Sequence, residues 1–132
     1  MDLADALPRL HVNKVQIEQV LVNLMMNAVE SMLQDESPNK TIVIQTLASH
    51  GGGVQVAVRD FGSGIEEQTR HLIFEPFFTM KHSGLGMGLS LSRSIIESHG
   101  GNIWAQNNVD KGTTFFFYLP EVRNSCPPNE AW

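Results

Sequence analysis

The sequence predicts an α+β fold: a mainly antiparallel, mixed sheet covered on one face by about three helices, in two layers. Three observations predict it. Two pairs of strand-like segments are each joined by a glycine-containing turn, the pattern of β-hairpins. A long segment of helical periodicity precedes the first pair, and shorter helical segments separate it from the second. That order lacks the strand-helix-strand succession of a parallel sheet. At 132 residues and 42% hydrophobic, the chain fits a single core, with a domain over residues 1–121 and a tail over 122–132.

The elements follow in order. Asn13-Lys14-Val15-Gln16 is a helix start, with Asn13 at the N-cap and Gln16 at the capping-box position; this helix is predicted to run to about Gln34. TIVIQTLA (Thr41 to Ala48) and VQVAVRD (Val54 to Asp60) alternate around SHGGG. After DFGSGI, residues Glu66 to Ile73 are predicted to form a short helix ended at Glu75-Pro76, because the residue before proline is pushed out of the helical region. LSLSRSIIESH (Leu89 to His99) is a helix stopped by Gly100-Gly101. Asn102 to Asn107 and Thr113 to Leu119 then form the second hairpin, around Asp110-Lys111-Gly112. The Pro-rich tail SCPPNEAW is expected to be mobile.

Composition excludes several function classes. A net charge of −5 provides no global field for nucleic acid, so any phosphate ligand must be held locally. The longest apolar segment, VLVNLMMNAV, is interrupted by Asn23 and Asn27 and is far shorter than the roughly 18 to 20 apolar residues of a membrane span. The N-terminus lacks the pattern of a signal peptide, and the chain reads as a piece of something longer. The single cysteine, Cys126, fits a reducing compartment. A cytoplasmic domain without direct membrane contact is expected.

Three motifs carry chemistry. In MKHSGLGMGL, Gly84, Gly86 and Gly88 occupy alternate positions before a helix. The spacing is neither a Rossmann fingerprint nor a P-loop. Backbone N–H groups freed of side chains, together with the positive end of the helix, can still cradle a phosphate; the alternative is a flexible loop with a glycine helix start. On the first helix, Gln16, Gln19, Asn23, Asn27, Glu30 and Gln34 form one polar stripe. Asparagine is a mediocre helix former, so Asn23 and Asn27 amid Leu, Met and Val are either core amides satisfied by backbone or hard oxygen ligands for Mg²⁺. Asp60, at a strand end before Phe61-Gly62-Ser63-Gly64-Ile65, is either a common turn residue or a carboxylate that accepts the exocyclic amine of a base lying on the glycines.

In sequence order QVLVNLMMNAVESM, DFGSGI, FEPFFTMK, GLGMGLSLS and GTTFFFYLP resemble the ATP-binding domain of sensor histidine kinases, over roughly Leu10 to Pro120. The likeness is to the short-lid type found in nitrogen-regulatory and oxygen-responsive kinases, since only His82 and Ser83 separate FFTMK from Gly84. The resemblance implies the Bergerat fold and Mg²⁺-ATP as cofactor. It implies that Asn27 is the Mg²⁺ ligand, that Asn23 lines the phosphates, and that Asp60 reads adenine. Gly62, Gly64 and Ile65 would border the base, with Thr113 near it. Gly84, Leu85, Gly86, Met87, Gly88 and Leu89 would cradle the phosphates, and Lys81 would add a mobile positive charge. Asn23, Asn27 and Lys81 would be the catalytic set.

Hydrolysing members of the superfamily carry glutamate at the place of Asn23, and an asparagine cannot accept the proton of an attacking water. Phosphoryl transfer with little hydrolysis is therefore expected in a two-component phosphorelay. None of His11, His50, His71, His82 and His99 begins the pattern expected of a phosphoacceptor. The acceptor must then come from the dimerisation helices of a homodimeric parent, with a response regulator as indirect partner and the isolated domain monomeric. Phe74, Phe77 and Phe78 either pack under the lid or dock on those helices. Asn13 and Met80 depart from the usual aspartate and threonine. A transfer-inactive ATP-binding module and an anti-sigma-type serine kinase are the competing readings.

Overall fold

The first helix starts where the sequence places its signal. In α1 (Lys14–Gln34) Asn13 Oδ1 accepts the Gln16 N–H at 3.1 Å, which satisfies one of the donors a helix N-terminus leaves unpaired. The computed structural model describes residues 12–36, 38–49, 52–76 and 88–121. Along α1, Val20, Leu24, Ala28 and Met32 recur every fourth residue and are buried, so one stripe of the helix faces the core. The polar stripe beside it stays partly or fully exposed.

The four strands β1 (Val43–Ala48), β2 (Val54–Arg59), β3 (Asn102–Asn107) and β4 (Thr113–Leu119) form one sheet in the order β1-β2-β4-β3, each neighbouring pair antiparallel. Both predicted hairpins are present. They join along β2 and β4, where Val56 pairs with Phe117 and Val58 with Phe115. Alternation along these strands sends Val54, Val56, Val58, Phe115, Phe117 and Leu119 to one face, where they meet Val20 and Leu24 of α1 and Ile95 and Ile96 of α2 (Gly88–Ser98) in a single cluster. The other face carries Trp104 stacked on Phe116, with ring centroids 5.4 Å apart and an interplanar angle of 11°. Phe117 is fully buried at the centre. Truncation there leaves a cavity between both layers, and Phe117→Ala is expected to cost about 3–5 kcal/mol, measurable as a lower urea midpoint with an unchanged slope.

The α+β class and the one-faced helical layer match the expectation, with two differences in detail. Among the described residues the sheet is wholly antiparallel. The segment Glu66 to Ile73 is not an α-helix but a chain of turns with a 3-10 turn at Arg70–Leu72. Its N-cap Thr69 makes no side-chain capping bond, and Pro76 closes the far end. One turn bounded this way cannot recover the cost of helix nucleation. Phe74 lies edge-on to Phe115 at 6.3 Å, half-buried against the core, so it takes the packing role; Phe77, Phe78 and residues 122–132 lie outside the described residues.

An ion pair closes the fold at one end. Asp35, the C-cap of α1, brings a carboxylate to the negative end of a helix, which is unfavourable. Lys111 Nζ, from the β3–β4 turn, meets Asp35 Oδ2 at 2.6 Å, offsetting that charge and holding the turn to the helix.

Candidate nucleotide site

Asp60 follows β2 directly and is only 1% exposed. Its Oδ1 accepts two backbone N–H groups, from Gly62 at 2.9 Å and Thr113 at 3.1 Å. The Asp60 N–H donates to the Thr113 carbonyl at 2.9 Å, so the residue is pinned to the start of β4 from both its main chain and its side chain. Burial pushes the Asp60 carboxyl above the usual carboxylate value, against the opposing pull of the two backbone donors.

Two glycines permit this packing. A Cβ on Gly62 would lie 2.2 Å from Ser31 Oγ and 2.9 Å from the Ser31 carbonyl carbon. The DFGSG loop therefore rests directly on α1, one turn beyond Asn27. Gly112 has φ +86°, and a Cβ there would lie 2.3 Å from the Asp60 carbonyl oxygen, so glycine is required on both steric and conformational grounds. Gly62→Ala is expected to destabilise the protein by about 1–3 kcal/mol and to lift the loop from α1. Chemical denaturation measures the first effect, and loss of amide-exchange protection at residues 60–65 the second.

The loop is braced from its flanks. Arg59 makes a two-pronged ion pair with Asp110 at 2.9 and 3.0 Å, and its guanidinium carbon lies 5.1 Å from the Phe61 ring centroid. Ile65 is buried in the core.

The second part of the site lies about two turns earlier on α1 than Ser31. Asn23 Nδ2 donates to the Gly88 carbonyl at 3.4 Å and to Ser92 Oγ at 3.3 Å, which fixes the carboxamide against the first turn of α2. The unpaired N–H groups of that turn give it a positive end. Asn27, on the same face of α1, is half-buried, and Leu89 packs partly buried against the core. The structure thus brings Asp60, Gly62, Gly64, Ile65 and Thr113 together at one end of α1's polar stripe, and Asn23, Gly88 and Leu89 at the other, with Asn27 between. Lys81, Gly84, Leu85, Gly86 and Met87 lie outside the described residues.

Sequence reasoning missed three contributors. Ser31 is the surface against which Gly62 packs. Asn107 bonds both main-chain groups of Ile65, and Asn108 Nδ2 donates to the carbonyls of Asp60 at 3.0 Å and Lys111 at 2.8 Å. The doublet Asn107-Asn108 just before a Val-Asp-Lys-Gly turn was the available signal, since asparagine side chains often bond nearby backbone in turns. Among the described residues no group of three or more His, Cys, Asp or Glu could hold a metal. The half-buried Asn27 carboxamide offers a single hard oxygen donor, of the kind used by an ion that completes its shell with phosphate and water.

Residues 12–123 match the family described as histidine kinase-, DNA gyrase B-, and HSP90-like ATPase. The chain belongs to this family. Among its relatives, the sensor protein FixL of Bradyrhizobium diazoefficiens is 46% identical over 108 residues, which is 82% of this chain and 21% of that protein. The sensor histidine kinase ZraS of Escherichia coli is 36% identical over 116 residues, 88% of this chain and 24% of that protein. The nucleotide-free catalytic domain of histidine kinase ThkA superposes with a TM-score of 0.78 at 37% identity, over 91% of this chain and 76% of that one. Full-length ShkA in complex with AMPPNP gives a TM-score of 0.77 at 25% identity, over 96% of this chain and 26% of that one. The chain spans about a fifth to a quarter of the length of the sensor proteins FixL and ZraS. Within this ATPase family it corresponds to the catalytic ATP-binding domain of sensor histidine kinases.

Proposed function

We propose that this domain binds Mg²⁺-ATP and donates the γ-phosphoryl group to a histidine on separate dimerisation helices of the same kinase, for relay to a response regulator. The observation that carries the reading is the buried Asp60 carboxylate, whose Oδ1 is held by two backbone donors in a glycine-lined loop pressed on α1. With Oδ1 so held, Oδ2 is the oxygen to accept the exocyclic amine of adenine, while Gly62, Gly64, Ile65 and Thr113 border the ring. Asn23 and the first turn of α2 at Gly88 and Leu89 take the phosphates. Gly84, Leu85, Gly86 and Met87 extend that cradle, and Lys81 supplies charge.

Asn27 would hold the Mg²⁺ ion, which neutralises charge on the transferring phosphoryl group. The work of the protein in such a transfer is positioning and charge stabilisation. Asn23, lacking a basic carboxylate, leaves water unactivated, so transfer proceeds with little hydrolysis. The parent kinase is proposed to be a homodimer whose ATP-binding domain lies in the cytoplasm. Calorimetric titration of ATP and GTP, with and without Mg²⁺, tests the binding. Incubation with an acceptor domain, followed by acid treatment, tests the transfer, because phosphohistidine is acid-labile. No ATP binding, or an acid-stable product, would contradict the proposal.

The raised Asp60 pKa has two opposite consequences. Its folded-state value lies above that of the unfolded chain, so the group favours the fold below the ordinary carboxylate range, and this contribution is lost as pH rises through the raised value. ATP binding needs the ionised acceptor and is expected to weaken as pH falls through the same value. Calorimetry and denaturation across the acid range check both trends, and Asp60→Asn should flatten them.

A further inference from the structure

Asn107, at the end of β3, and Ile65 are 42 positions apart but are joined by two hydrogen bonds. The Ile65 N–H donates to Asn107 Oδ1 and Asn107 Nδ2 donates to the Ile65 carbonyl, each at 2.8 Å. One carboxamide thus satisfies both main-chain groups of one residue, as a neighbouring strand would. The same Oδ1 accepts the Thr113 hydroxyl at 3.4 Å and lies 3.1 Å from where a Cβ on Gly64 would stand. Asn107 is exposed, so it does not fill the core. Its contacts are Gly64, Ile65 and Thr113, and Thr113 also pins Asp60 through its N–H.

We infer that Asn107 is a positioning residue for base recognition: its carboxamide sets the gap between the Gly62–Ile65 loop on one side and Thr113 with Asp60 on the other. This rests on the adenine reading above. Asn107 acts through Ile65 and Thr113 and is not itself assigned a contact with the base. Without it, the loop loses the two hydrogen bonds that tie Ile65 to the end of β3, and the width of the slot that receives a flat ring is no longer set. Among the described residues, the α1–α2 end of the site, to which the phosphates are assigned, shares no hydrogen bond with Asn107.

The test compares the wild-type chain with Asn107→Ala and Asn107→Asp by calorimetry for ATP and GTP, with magnesium tripolyphosphate measured by competition against ATP. Asn107→Ala is expected to weaken ATP binding roughly tenfold, to narrow the preference for ATP over GTP, and to leave tripolyphosphate affinity unchanged. Asn107→Asp keeps the shape and the acceptor for the Ile65 N–H but sets a carboxylate oxygen against the Ile65 carbonyl. It should weaken ATP binding at least as much, and it decides the matter if the alanine variant fails to fold. Unchanged ATP affinity in a folded variant, or equal losses for ATP and tripolyphosphate, would overturn the inference. A wild-type chain with no preference for ATP over GTP would instead sink the adenine reading, and the inference with it, before any variant is compared.

Discussion

Asp60→Asn is expected to yield a folded protein that has lost more than about 100-fold in ATP affinity, because a site built to hydrogen-bond one partner discriminates strongly when its polar group is reversed. The amide keeps the volume of the carboxylate, and its oxygen can still accept the N–H groups of Gly62 and Thr113. Its nitrogen then takes the place of Oδ2 and presents a donor to the donor amine of adenine. Asp60→Ala is a poorer probe. It leaves two buried N–H groups without an acceptor, at about 1–3 kcal/mol each, and so mixes loss of recognition with loss of stability. The decisive measurement is ATP affinity by calorimetry alongside a thermal unfolding midpoint. Tight ATP binding by a folded Asp60→Asn protein would remove Asp60 from the site.

Asn27→Ala should abolish the Mg²⁺ dependence of binding and lower phosphoryl transfer by about 100-fold, in keeping with the loss of an ion ligand. Metal-free ATP binding should change little, since the base-reading cluster starts beyond Ser31 and, among the described residues, shares no hydrogen bond with Asn27. Asn27→Asp is the informative companion. It restores a hard oxygen ligand with added charge and should retain Mg²⁺ dependence, although the charge repels the phosphates. Titrations of ATP at several Mg²⁺ concentrations distinguish the outcomes. A Mg²⁺ response in Asn27→Ala equal to that of the wild type would place the ion elsewhere.

Much of this was legible in the chain. The Asn13 cap and the polar stripe from Gln16 to Gln34 located α1, and strand-like segments around the two glycine turns located all four strands, because these signals are local and periodic. Asp60, Gly62 and Gly64 stood out for the same reason: a carboxylate at a strand end followed by glycines is a short-range pattern. Glu66 to Ile73 misled because apolar spacing alone cannot tell one isolated turn from a helix, and no cap marked its start. Asn107 and Asn108 passed unnoticed because their partners, Ile65 and Asp60, lie far away in sequence; the asparagine doublet before the turn marks a turn but does not name those partners.

The sequence by itself determined the fold class and the order of the two long helices and four strands, since these rest on residues read against their near neighbours, while the kind of chemistry came from the resemblance carried by five motifs taken in order. Only the tertiary structure decided that Gly62 must be glycine because Ser31 lies against it, that Asp60 is buried and held through Oδ1, and that Asn23 is fixed to the first turn of α2. Those facts belong to contacts between segments 31 to 69 positions apart, and the physical reason is that close packing and desolvation depend on which surfaces meet, which no single stretch of chain specifies.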